Sequence, residues 1–365
     1  MFPAASETLI TNATLPVAEG PLRGALRIAE GRIAEILPDA APAGGADWGG
    51  DWLLPGIVDI HTDHLEKHVF PRNHVRWDFL TAVMAHDAQI VGGGTTTVFD
   101  AIAVGASLRR PERRLILGPC LDALERLAAE GALRADHRIH LRCEISDPET
   151  PALVEAEIGR PLVAVASLMD HTPGDRQSPD IERYITRQAR DMQITVDEAR
   201  ALTDELMARS RRVAAQVRHA VAGLVRARGL PLMSHDDACA AHVALARAEG
   251  CAIAEFPTTL EAARAARNAG MTIVAGAPNL LRGGSQSGNV AARELLAEGL
   301  VDVLSSDYVP RSPLDAAFAL ADDPDLPFDL HGALKLVTEN PARAGGLADG
   351  DALAPGLRAD LLRVR

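Results

Sequence analysis

With 365 residues, 47% hydrophobic and 24% charged content and a mean hydropathy of +0.02, the chain is long enough for one large core plus an appendage, and its composition is that of a globular protein. No apolar run reaches the roughly 18 residues of a membrane span, the start MFPAASETLITNATLP lacks the basic and apolar tracts of a secretory signal, and a formal charge of -13 opposes a general nucleic-acid surface. A cytoplasmic protein with neither membrane nor nucleic acid as partner is the expectation, and the scattered Cys120, Cys143, Cys239 and Cys251, with no CxxC pair, read as packed thiols.

Residues 1–53 alternate short β-like segments (7–10, 25–28 and 32–36) with turns rich in Gly and Pro, which predicts a small sheet. From Leu54 the pattern changes to short apolar runs ending in polar residues, separated by amphipathic helical stretches. Eight such runs occur, at 56–63, 95–103, 138–146, 162–171, 230–236, 251–257, 271–277 and 301–307. Eight repeated strand–helix units predict a (β/α)8 barrel, a TIM-type α/β fold whose active site lies at the C-terminal strand ends. Gly92-Gly93-Gly94 precedes the second strand and reads as a helix stop. Residues 180–228, charged and rich in Ala and Arg, predict two helices or one excursion from the barrel, with a solvated or homo-oligomer-forming surface. The tail 356–364 is again strand-like and can return to the N-terminal sheet.

The polar residues ending these runs form one set: His61 and Asp63 on the first strand, Glu144 on the third, His171 on the fourth, His235 on the fifth, Glu255 on the sixth and Asp307 on the eighth. In an extended strand residues two apart share a side, so His61 and Asp63 reach one point. Any one of these residues alone reads more readily as a hydrogen-bonded structural group. Together at one barrel end they are costly to bury without cations, and imidazole plus carboxylate without paired thiolates favours one or two divalent ions, zinc first and manganese second.

The segment PGIVDIHTD, the SHDD at strand five, the strand-eight Asp and NPAR near the C-terminus resemble the amidohydrolase superfamily over nearly the whole chain. That resemblance implies a distorted (β/α)8 barrel over 54–344 as the metal-dependent catalytic domain, with a composite β-sandwich domain from 1–53 plus 345–365. The chain departs from the superfamily's usual pattern in three places: His61-Thr62-Asp63 stands for His-x-His, Glu255 for the usual strand-six histidine, and neither of its two lysines, Lys67 and Lys335, lies where a carboxylated lysine bridges two ions. Glu144 is then the expected bridging carboxylate, with His61, Asp63, His171, His235 and Asp307 as the other candidate ligands.

The strings HTDxLEKHxxPR, SLMDHTPGxRQ, EFPTT, GAPNxxRGGSxSGN and SSDYVP are similar to one branch of that superfamily, the diphosphatases of phosphonate breakdown, with His64 and Gln286 as the departures. This likeness implies hydrolysis of a phosphorylated sugar phosphonate, α-D-ribose 1-methylphosphonate 5-triphosphate, to the 5-phosphate and pyrophosphate. Asp307 is the expected proton acceptor. Lys67, His68, Arg72, Arg176 and Arg282 are expected to face the phosphates, with Gly283 and Gly284 in a loop read as phosphate-binding ahead of a helix. The competing reading on the same scaffold is an amidohydrolase of a cyclic amide or N-acyl substrate, of dihydroorotase or deacetylase type. A third reading, a non-enzymatic scaffold, leaves the strand-end histidines and aspartates without a purpose.

Overall fold

The computed structural model describes residues 7–40, 42–72, 75–105, 111–285, 287–349 and 352–365. Strands β1 (Thr8–Val17), β2 (Gly20–Ala29), β3 (Arg32–Pro38), β4 (Ala46–Asp47) and β5 (Trp52–Pro55) form a mixed sheet. The last strand of the chain, β14 (Leu361–Val364), joins its edge by pairing antiparallel with β5, so both chain ends build one separate layer. Its side-chain core is Ile10, Leu15, Leu26, Ile33 and Leu53.

Eight parallel strands then follow in spatial order: β6 (Ile57–Thr62), β7 (Thr95–Val104), β8 (Asp136–Glu144), β9 (Val163–Met169), β10 (Leu232–His235), β11 (Ile253–Glu255), β12 (Thr272–Gly276) and β13 (Val303–Ser305). All eight expected runs carry a strand. They are almost entirely buried because a barrel strand is covered on both faces, and the polar residues they carry are buried with them. The ring is nearly closed: Thr62 bridges Asp307, the Asp63 amide donates to the Asp307 carbonyl (3.0 Å) and the Asp307 amide to the His61 carbonyl (3.0 Å). Closure therefore occurs at the residues singled out as ligands.

The barrel's lower interior is filled by Val58, Ile60, Phe99, Val165, Met233, Ile253, Val274 and Val303, the layered packing that makes such a barrel solid. Gly345, at the end of the helix Glu339–Ala344, seals that floor; a Cβ there would stand 2.4 Å from the Phe99 ring.

Residues 180–228 form two helices, Ile181–Met192 and Val196–Ala227. Gln193 turns the chain between them in the left-handed region, and the Thr195 hydroxyl with the Glu198 carboxylate caps the second in a reciprocal box. That helix is no excursion. Val217, Val221 and Val225 pack into the layer between strands and helices, so it serves as the barrel helix after β9. No helix among the described residues is long and apolar enough to cross a membrane.

Between the barrel wall and the helix Phe79–Gly92 lies a buried polar knot. Asp100 on β7 points outward, because its neighbour Phe99 points in; its Oδ1 meets His86 Nε2 and its Oδ2 meets His137 Nδ1, both at 2.7 Å. Asp87 completes it, 3.3 Å from His137 Nε2 and accepting the Arg134 and Ala135 amides. Burial opposes a charge on His137, but the Asp100 carboxylate and then Asp87 prevail and raise its pKa to about 9. A histidine raised above its ordinary value near 6.5 contributes stability that is full below that pH and lost as pH climbs through 9. The protein should lose up to roughly 3 kcal/mol of unfolding free energy between pH 6.5 and 9.5. Chemical denaturation of wild type and His137→Gln across that range checks this; parallel curves would contradict it.

Candidate active site

The C-terminal ends of the barrel strands open into a cleft of about 620 Å³, within the size range of small-molecule sites. At its base the side chain of Glu255, fully buried, accepts from two imidazoles at once: its Oε1 lies 2.6 Å from His61 Nδ1 and its Oε2 lies 2.6 Å from His235 Nδ1. With Nδ1–H donating on each ring, Nε2 is the bare nitrogen. The two rings stack 5.9 Å apart, and His61 Nε2 is buried with no hydrogen-bond partner. Burial works to raise the Glu255 carboxyl, but His61, His140 and His235 around it hold it well below the usual carboxylate range. Glu255 is thus a charged clamp, with both oxygens spent on histidines.

A second carboxylate acts in the same way on the other side. Glu144 Oε2 accepts from His171 Nδ1 at 2.8 Å, and its Oε1 accepts from the Ser146 hydroxyl at 2.8 Å. His171, at the cleft wall, lies edge-on to His235 with centroids 5.9 Å apart, and one nitrogen or oxygen from each of His171, His235 and Asp236 falls within 4.8 Å of the others. Both glutamates therefore sit behind histidines, so neither presents a free oxygen to the cleft.

Five carboxylates line the cleft: Asp63, Asp236 and Asp307, which follow β6, β10 and β13, and Asp170 and Asp175 on the loop after β9. Asp63 Oδ1 and Asp236 Oδ2 are buried and unpartnered, the latter 3.4 Å from His235 Nε2. Burial, and then the charge of Asp63, raise the Asp307 pKa to about 6. Asp236, Phe256 and Asp307, each following a strand end, all take left-handed backbone conformations (φ 57°, 55° and 52°). Such strain collects where side chains must be aimed, and for a bulky Phe it is costly.

Bare imidazole nitrogens, unpartnered carboxylate oxygens and mutually repelling acids fit a divalent cation. His61, Asp63, His171, His235, Asp236 and Asp307 are the residues able to hold one. Sequence reasoning had omitted Asp236, although it adjoins His235 within SHDD. His140 lies one layer deeper, its Nε2 2.8 Å from Ser167 Oγ, and burial above all lowers its pKa to about 3. It is a neutral spacer beneath the clamp.

The cations expected to meet phosphate divide sharply. Lys67 lines the cleft, its Nζ donating to the Tyr308 carbonyl at 3.0 Å. His68 packs instead against the His64 and His86 rings, Arg72 is exposed away from the cleft, and buried Arg176 is spent on the Asp237 carboxylate (2.6 Å) and the His235 carbonyl (3.1 Å). Arg282 donates to the Tyr308 hydroxyl at 3.3 Å from outside the cleft lining. Gly283 is the left-handed cap ending the helix Ala277–Arg282, and Gly284 follows it. A helix C-terminus carries the negative end of the dipole, so these two do not make the expected anion cradle; Ser285, Ser287 and Asn289 of the same loop face the cleft instead. Gln286 lies outside the described residues.

Three arginines that the sequence had not singled out line the cleft: Arg113, Arg142 and Arg187. Arg113 is paired with Glu66 (2.9 Å). Arg142 is buried on β8, two residues before Glu144, with Nε and Nη1 making no hydrogen bond; its nearest charge is Asp63 at 3.6 Å. The alternation His140, Arg142, Glu144 was the available signal, since residues two apart face the same side of a strand.

A parallel eight-stranded barrel with such a centre at its C-terminal end defines a metal-dependent hydrolase, and the chain belongs to the amidohydrolase family, whose model matches residues 52–364. Among individual proteins it is 43% identical over 360 residues, 97% of this chain and 94% of the relative, to alpha-D-ribose 1-methylphosphonate 5-triphosphate diphosphatase of Escherichia coli (strain K12). A 36% identical stretch of 99 residues, 26% of this chain and 20% of the relative, is shared with allantoinase of Streptomyces avermitilis. In fold it is similar to a variant of N-acetyl-D-glucosamine-6-phosphate deacetylase from Mycobacterium smegmatis, with a TM-score of 0.61 and 18% identity over 98% of this chain and 95% of that one.

If Glu255 fixes the two rings, Glu255→Gln should weaken metal affinity about 10- to 100-fold, the usual cost of losing such a partner. Competition with a chromophoric chelator measures this, and an unchanged affinity would refute the clamp.

Proposed function

We propose that the protein hydrolyses alpha-D-ribose 1-methylphosphonate 5-triphosphate to the 5-phosphate and pyrophosphate, the activity named in its Escherichia coli relative. The observation that carries this reading is Arg142: a buried guanidinium in the cleft lining whose Nε and Nη1 make no hydrogen bond, with Asp63 at 3.6 Å as its ion-pair partner. A neutral cyclic amide gives those free N–H donors no charged acceptor. A triphosphate does, and Arg187 and Lys67 line the same cleft.

His61, Asp63, His171, His235, Asp236 and Asp307 hold the divalent ion or ions, zinc being the choice suited to this donor set and manganese the second. When bound, such an ion polarises phosphoryl oxygens and lowers the pKa of an attacking water. Glu255 and Glu144 keep His61, His235 and His171 in one tautomer and one orientation. This replaces the expected role of Glu144 as a bridge. Asp307 accepts the proton of the attacking water at the α-phosphorus, and its place at the ring closure fixes its distance from the ligands on β6. Arg142 neutralises the non-bridging oxygens, where phosphoryl transfer concentrates its charge, while Lys67 and Arg187 hold the departing pyrophosphate. Catalysis belongs to residues 54–344, and the layer made by 1–53 with 345–365 is a separate domain that braces the barrel.

Phosphorus NMR of the zinc- or manganese-loaded protein with the ribosyl triphosphate should show pyrophosphate and the 5-phosphate accumulating in equal amounts. Turnover of dihydropyrimidines or N-acyl sugars without pyrophosphate would overturn the proposal in favour of the amide reading. Asp307→Asn should lower kcat by about 10²- to 10⁴-fold. Arg142→Ala should lower kcat/KM by on the order of 10²- to 10³-fold, and steady-state kinetics showing wild-type values in either variant would contradict its assigned role.

A further inference from the structure

Outside the cleft, three histidines converge that the proposed reaction does not use. His64 follows Asp63, and the short helix Leu65–Val69 sets His68 four residues on, on the same side. His86 approaches from the helix Phe79–Gly92. The ring centroids of the three are 5.0, 5.8 and 6.0 Å apart, and one ring nitrogen of each lies within 4.8 Å of the other two. None of the three lines the cleft.

The hydrogen-bond inventory gives the cluster its meaning. His64 Nδ1, His68 Nε2 and His86 Nδ1 are buried nitrogens with no partner, and His86 is fully enclosed while His64 is 9% exposed. Leaving one such nitrogen unsatisfied is costly; three in one place call for a common partner. The opposite sides of two rings are already held. Asp100 takes His86 Nε2 at 2.7 Å and is itself fixed by His137, and the Gln89 side chain bonds His68. A carboxylate behind an imidazole whose other nitrogen is bare is the arrangement that supports a metal ligand.

We propose that His64, His68 and His86 form a second metal site, separate from the catalytic centre, for a divalent transition ion of the zinc type. Three imidazoles with no thiolate among them favour zinc, cobalt or nickel over magnesium or calcium. The ion ties the short helix to the helix Phe79–Gly92. Lys67 stands on that short helix between two of the ligands and lines the cleft, so the second ion is a positioning device for this cleft cation.

The test compares wild type with His64→Asn and His86→Asn, each saturated with zinc, desalted and assayed for metal per chain by plasma mass spectrometry, with circular dichroism reporting the fold. Each folded variant should hold one zinc fewer than wild type, whereas His235→Asn should lose metal from the catalytic centre and keep this one. Cobalt-loaded wild type should show visible absorption that diminishes in His64→Asn and persists in part in His235→Asn. Equal zinc content in wild type and folded His64→Asn would overturn the proposal. His64, the more exposed of the two, carries the decision if His86→Asn does not fold. This outcome is independent of which substrate the cleft turns over.

Discussion

Everything at the open end of this barrel depends on one carboxylate held between two imidazoles. Glu255 receives a hydrogen bond from His61 across the barrel and from His235 on the adjacent strand, both at 2.6 Å. The charge needed to orient the histidines is buried at no exposure to water, and it is tolerable because both oxygens are used. The consequence is directional: His235 Nε2 lies 3.4 Å from Asp236, and His61 Nε2 is left buried without a partner. Where a histidine at this strand end would add a ligand, the glutamate here adds geometry to two others.

The same logic recurs through the molecule. Glu144 stands behind His171 and Asp100 stands behind both His86 and His137. In each case an acid from a strand fixes the orientation of a histidine ring, with the other nitrogen of His86 left without a partner and that of His137 on Asp87. The backbone contributes as well. Left-handed conformations at Asp236, Phe256 and Asp307 bend the chain immediately after three strands, and the pairing of Thr62 with Asp307 closes the barrel where the carboxylates must meet. The overall charge of -13 does not keep basic groups from the site: Arg142, Arg187, Arg113 and Lys67 line the cleft beside its aspartates.

The barrel was legible in the sequence because parallel strands buried on both faces leave continuous apolar runs, and each run here ends in a polar residue at the functional face. His61, Asp63, His235 and Asp307 could be placed for that reason. What the sequence did not reveal is which acid faces the opening and which stands behind a ring, because that depends on side-chain direction across strands far apart in the chain. Glu144 bonds His171 and Ser146, whereas Asp236 lies with His171 and His235 in the cleft lining. The arginines show the same limit. Arg176 sits in a motif loop yet turns inward to Asp237, whereas Arg142, inside an apolar-looking strand, reaches the cleft. Gly283 and Gly284 end one helix, Ala277–Arg282, ahead of the next, Ala292–Ala297, a short helix before the loop that the sequence did not mark.

The claim on which this account rests is that Glu255 orients the ligands without being one. An anomalous-difference crystal structure of the zinc-loaded protein tests it directly. The account predicts an ion about 2.0–2.1 Å from Nε2 of His61 and His235, with the Glu255 oxygens still on the two Nδ1 atoms. An ion bonded to a Glu255 oxygen, with either histidine turned away, would contradict it.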